Sequence, residues 1–261
     1  MRIAKIILLL LAAIALMVAG GIFADTQNAA FLETVRAAKA ELQAGVNAWS
    51  VDRLQKARDM VIGLQLKSDP PVPYLVYLIG LADYRLAVFY MDSQNPEAGR
   101  FVSEGRSYLE KVMETAPSFG EAFSLHGMLL GLEIALHPDQ GMSLGMQSMT
   151  EIERGIEKEP ANPRTHLLKG ESLIYTPEAY GGGAANAIPS LAKALELFEK
   201  ENVVDPLKSG WGHDECLLQL GLAYKMSNDV PKAREFLNKA LRLNPDLGYA
   251  KTLLESLDKT R

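Results

Sequence analysis

Three times in this chain a proline is followed ten residues later by a glycine: Pro70 and Gly80, Pro117 and Gly127, Pro160 and Gly170. Each glycine sits inside an apolar run of helical period, YLVYLIGLADY, AFSLHGMLLGLEI and THLLKGESLIY. Inside a helix glycine costs about 1 kcal/mol relative to alanine. Its return at one offset therefore marks places where a second helix comes too close to leave room for a side chain. A chain built this way repeats a unit of two packed helices, each unit burying its apolar face on the next.

The segment DECLLQLGLAYKMSNDVPKAREFLNKALRLNP shows the unit in compact form. Leu217, Leu220, Gly221 and Tyr224 share one helix face, and Ala233, Leu237 and Ala240 share a face on the next helix. Asn228 and Asp229 end the first helix, and Pro231 suits the first turn of the second. With Pro245, these eight positions fall at the spacing of one 34-residue window, 214–247, and the window resembles the tetratricopeptide repeat (TPR) family. Two positions depart from the family pattern, Leu217 where it favours tryptophan and Leu237 where it favours phenylalanine.

The earlier units are longer versions. Gly170 pairs with Ala187, Leu191 and Ala194, with five residues more than the compact unit between its helices. Gly127 pairs with Ser148, Ile152 and Gly155, with nine more. Gly80 pairs with Gly105, Leu109 and Val112, with thirteen more. Elongated helices and long turns are expected to take up these residues. Residues 28–66 read as a further hairpin broken near Trp49 and Ser50, and residues 246–259 as a last helix with a polar outer face. The fold class expected is all-α: a TPR-like α-solenoid of about five antiparallel helix pairs, about eleven helices with the C-terminal capping helix, and no strands.

The first 24 residues read as an address. Arg2 and Lys5 precede an apolar run from Ile6 to Val18, then small residues lead to Ala24, the order that signal peptidase reads. Cleavage after Ala24 leaves residues 25–261 as a single helical repeat domain in the periplasm or outside the cell. An uncleaved N-terminal membrane anchor is the alternative, since the apolar run approaches a spanning length. After cleavage no membrane insertion is expected. The remaining 237 residues carry 25 basic and 32 acidic side chains, a net charge of −7 with no basic block, which speaks against nucleic acid as a partner. Cys216 is the single cysteine, so packing rather than a disulfide must hold the fold.

Two irregular stretches draw the functional reading. YTPEAYGGGAANAI, residues 175–188, puts Gly181, Gly182 and Gly183 before a helix start. The preceding helix and the absence of a Gly-Lys-Ser/Thr exit exclude a P-loop; a turn between helices is expected, with an anion held on the glycine amides as the lesser reading. ENVVDPLKSGWGHDE is a long loop with Pro206, Ser209, Gly210 and Gly212 as breakers. Its Trp211, with Tyr175 and Tyr180, forms a candidate aromatic binding surface, core packing being the competing expectation for the tryptophan. Met142, Met146 and Met149 form one helix stripe, expected to fill a core face, and Cys216 reads as a small core residue.

The run ANPRTHLLKG, then YTPEAYGGG, then DPLKSGWGHDE resembles a group of exported bacterial TPR proteins of unassigned activity. The glycine loop and elongated helices are more loosely similar to the periplasmic TPR component associated with TRAP-type transporters, although the lipoprotein cysteine common in that family is missing here. The resemblance implies a non-enzymatic binding protein of the cell envelope, a protein–protein interaction scaffold holding a protein or peptide in its concave groove. Arg164, His166 and Lys169, with Gln219 and Lys225, are the candidate groove lining. A small-ligand or transport accessory role, with a pocket near 175–188 and 205–213, is the alternative. No cofactor, metal or catalytic residue is implied.

Overall fold

The computed structural model describes residues 28–258; the expected signal segment, residues 1–24, lies outside them. The described residues form eleven α-helices and no strand. Helix α1 (28–48) pairs with α2 (Val51–Gln65), α3 (Pro73–Asp92) with α4 (Glu97–Thr115), and α5 (Gly120–Leu136) with α6 (Gly141–Lys158). Then α7 (Pro163–Tyr175) pairs with α8 (Ala184–Phe198), and α9 (His213–Met226) with α10 (Val230–Leu243), before the single α11 (Gly248–Asp258).

The recurring glycines do what their spacing predicts. A Cβ on Gly80 would stand 2.8 Å from Leu109, one on Gly127 2.7 Å from Ile152, one on Gly170 2.5 Å from Leu191 and one on Gly221 2.7 Å from Leu237. Each is the leucine or isoleucine on the second helix of the same unit. The first hairpin carries the same contact, Gly45 against Leu54 at 2.8 Å, which spacing alone did not reveal.

The extra residues go into helices rather than turns. In the α3–α4 unit the helices run to 20 and 19 residues, against 14 and 14 in α9–α10, and only residues 93–96 join them. The turn between α7 and α8 is the one in which a glycine-rich loop intervenes.

Odd-numbered helices form the inner layer: α3 touches α5, α5 touches α7, and α7 touches α9. The even helices α4, α6, α8 and α10 are amphipathic and cover them outside. Two apolar clusters result, one mainly from α1 to α6 and one from α7 to α11, and Trp211 packs against both. The ends of the array meet. Gln43 on α1 donates to Asp214 at the start of α9 (3.4 Å), and the Asn47 and Asn244 side-chain amides bond one another (3.3 and 2.9 Å). The backbone of Gly248, which opens α11, lies so near Asn47 that a Cβ would be 3.0 Å from its carbonyl oxygen.

The methionine stripe departs from expectation. Met142 is 78% exposed and Met146 65%, because Leu144, Ser148, Ile152 and Gly155 supply the buried face of α6. Cys216 is buried as expected, its thiol against the Leu191 carbonyl at 3.3 Å, and burial pushes its pKa up.

Candidate functional site

Residues 201–212 carry no helix, yet they do not hang outside the solenoid. They cross its inner face as a strap, held by one side chain after another from the odd helices. Lys39 of α1 donates to the carbonyls of Pro206 (3.1 Å) and Lys208 (2.6 Å). Tyr74 of α3 donates to the same Lys208 carbonyl at 2.9 Å. Tyr77, also of α3, accepts from the Trp211 indole at 3.2 Å, and Glu121 of α5 accepts from Ser209 Oγ at 2.5 Å.

Local chemistry shapes the strap. Asp205 accepts from the Leu207 amide at 2.9 Å, a turn of the kind aspartate favours before a bend. Gly212 takes φ +104, and a Cβ there would meet Phe198 at 2.9 Å; only glycine turns the strap tightly into α9.

Charged groups lie beneath it. Arg164 of α7, 2% exposed, grips Glu201 with both terminal nitrogens (2.6 and 2.8 Å), the planar fork suited to a carboxylate. Its guanidinium lies 5.3 Å from the Phe198 ring centre and 6.0 Å from that of Trp211. Phe198 in turn stacks on His213 at 5.4 Å, nearly parallel. Further along the inner face, Arg85 of α3 pairs with Glu215 of α9, and Tyr84 donates to Glu171 at 2.9 Å. Burial raises the Glu215 carboxyl to about 7 against the opposing pull of Arg85. It also raises Glu171, again against Arg85.

Two cavities flank Trp211. The larger, about 460 Å³, is walled by Arg36, Lys39, Arg164 and Glu201, by the rings of Phe198, Trp211 and His213, and by strap residues 203–206 and Gly210. The smaller, about 230 Å³, lies between α1, α3 and Glu215, with Lys39, Gly210 and Trp211 shared between the two. The larger volume suits a small molecule.

The structure separates the residues that sequence reasoning grouped. Trp211 and Arg164 reach the larger cavity; His166 and Lys169 do not line it. His166 meets the Pro160 carbonyl at 2.9 Å, and Lys169 pairs with Glu153 of α6 at 2.5 Å. Lys225 donates to Ser256 of the cap at 2.8 Å, and Gln219 lines neither cavity. Tyr175 and Tyr180 are 67% and 69% exposed, and no residue of 175–188 lines either cavity.

An amide cradle at the glycine loop is corrected by its own hydrogen bonds. The Gly181 amide donates to Glu178, that of Gly182 to Pro177 and that of Gly183 to Leu173, at 2.9, 3.2 and 2.8 Å. Asn186 Nδ2 bonds the carbonyls of Gly181 and Gly182. The loop closes on itself, and its three N–H groups are already committed. Sequence reasoning missed Lys39, Tyr74, Tyr77, Arg85 and Glu121. Their one signal was polar residues inside apolar helical runs, as in LADYRLA.

An inward-facing helical array with a strap across it defines the class: an α-solenoid in which loop and inner helices enclose two cavities. The family model for the tetratricopeptide repeat matches residues 214–247, so α9 and α10 form one such repeat, and the remaining pairs stack in the same way. The HusA haemophore from Porphyromonas gingivalis is similar in fold, with TM-score 0.62 and 21% identity over 76% of this chain and 92% of that one. A thermophilic TPR protein of Thermus thermophilus is also similar, with TM-score 0.55 and 15% identity over 84% and 98%. No curated protein matches the chain in sequence. The repeat and the fold suggest an interaction scaffold.

Proposed function

We propose that this is an exported, non-enzymatic binding protein of the bacterial cell envelope, and that its inner face takes a small ligand rather than a peptide. The observation that carries the reading is the strap. An extended peptide lying along the inner helices would need the Lys39, Tyr74 and Glu121 bonds that residues 206–209 already hold. What the strap leaves is the cavity of about 460 Å³ with aromatic walls and converging charged groups, the usual make-up of a small-molecule site. Likeness of fold to a protein named as a haemophore adds that this architecture hosts such a role elsewhere. The charge, apolar run and small residues of 1–24 support export.

The test is native mass spectrometry of the protein purified gently from the envelope of its own cells. A co-purifying small-molecule mass, lost on Trp211→Ala, is the expected result; an unliganded mass in every preparation overturns the reading. Sequencing of the purified chain is expected to begin at Asp25, and a start at Met1 overturns cleavage.

A further inference from the structure

The cavity beside Trp211 has an uneven balance of charge. Among its lining residues are three basic side chains, Arg36, Lys39 and Arg164, and two acids, Glu201 and Asp205. Both acids are engaged. Glu201 is held by both terminal nitrogens of Arg164, and Asp205 caps its own turn through the Leu207 amide. Among the described residues Arg36 pairs with Glu33, one turn earlier on the exposed side of α1, a pairing of little worth in water.

Lys39 differs from both arginines. Its two hydrogen bonds go to neutral carbonyls, those of Pro206 and Lys208, and not to a carboxylate. An ammonium has three N–H donors; among the described residues the strap carbonyls take two, and the Tyr74 ring centre lies 5.4 Å from Nζ. Burial, and next the neighbouring Arg164 guanidinium, pull its pKa below the ordinary lysine value, with Asp205 and Glu121 opposing. The charge is thus held in a half-buried place without full compensation, which is where an added anion gains most. Arg36 stands three residues earlier on the same helix and lines the same cavity. The rings of Trp211, Phe198 and His213 line the same cavity.

Resting on the small-ligand reading above, we propose that Lys39 and Arg36 form an anion subsite, and that the ligand is a small aromatic or conjugated molecule bearing a carboxylate. The acid group meets Lys39 and Arg36 while the planar body lies along Trp211 and Phe198.

Calorimetric titration of the chain from Asp25 onward with 2-naphthoate and with neutral 2-naphthamide separates charge from shape. The carboxylate is expected to bind about tenfold more tightly than the amide, the scale of one charge-assisted hydrogen bond. Lys39→Gln keeps an N–H donor but no charge, and is expected to bring the affinities for the carboxylate and the amide to parity. Lys39→Arg is expected to restore the preference. Equal affinity for the two probes, a preference that survives Lys39→Gln, or binding of neither probe at millimolar concentration overturns the anion subsite. A co-purified neutral ligand alongside any of those results would leave the small-ligand reading standing and the subsite refuted.

Discussion

The indole Nε1 of Trp211 donates to the phenol oxygen of Tyr77 over 3.2 Å, across 134 residues of chain. This bond ties the strap to the N-terminal half of the solenoid, while the Trp211 ring also packs on the C-terminal cluster. One side chain thereby joins the two cores.

Trp211→Phe keeps a ring and removes the donor. It is expected to cost about 1 kcal/mol, the net worth of one hydrogen bond. Trp211→Ala also empties the space between the clusters and is expected to cost about 3 kcal/mol. Urea unfolding measures both, and limited proteolysis is expected to cut the alanine variant within 201–212 first.

Two glycine substitutions should have opposite signs. An alanine Cβ at Gly127 would stand 2.6 Å from the Ser148 carbonyl oxygen, a backbone atom that cannot step aside, so Gly127→Ala is expected to lose about 2 kcal/mol or more. Gly63 in α2 has nothing within 4 Å of the added atom, and Gly63→Ala is expected to gain about 0.5–1 kcal/mol. Thermal melts of the two variants decide whether close helix approach, rather than glycine content, explains the pattern.

The glycine loop is expected to behave as a structural turn. A Cβ on Gly182 would fall 2.0 Å from the Thr176 carbonyl oxygen, whereas one on Gly181 meets nothing and suffers only from φ +83. Gly181→Ala is therefore expected to cost about 1–2 kcal/mol, and Gly182→Ala more. Neither change is expected to alter ligand affinity at the Trp211 cavity, which calorimetry can check.

Stability should fall as pH rises through the weakly acidic range. Burial lifts the carboxyl groups of Asp83 and Glu215 to about 7, against the pull of Arg58 and Arg85 respectively. In the folded state each holds its proton to higher pH than in the unfolded chain. Their contribution is thus full below the ordinary carboxyl values of about 4 and is lost as pH climbs to about 7. A loss of ~2–3 kcal/mol per group between pH 5 and pH 8 is the expected scale, and Asp83→Asn with Glu215→Gln is expected to flatten it. Unfolding curves across that range test the sign directly.

Much of the architecture was legible because it rests on local rules. Gly80, Gly127, Gly170 and Gly221 each announced a close helix partner, and Leu109, Ile152, Leu191 and Leu237 are those partners. Helical period and spacing suffice for that, since the two helices of a unit are neighbours in the chain. The exposed methionines of α6 were misread because a stripe of period 3.6 fixes a face but not its direction. Leu144, Ser148, Ile152 and Gly155 make the competing stripe that packs inward.

The site obeyed no such rule. Tyr175 and Tyr180 were grouped with Trp211 by closeness in sequence, yet the strap carries Trp211 inward to Tyr77 while the glycine loop closes on its own carbonyls. By itself the sequence determined helix pairs, their order and the glycine contacts within each pair, because those interactions span a few tens of residues. Only the tertiary structure decided that α1 meets α9 through α11, that residues 201–212 lie inside, and that Lys39, Arg164 and Trp211 share a cavity. Those contacts join residues up to 197 positions apart. Their geometry comes from the curvature summed over all the stacked pairs, which no single stretch of sequence encodes.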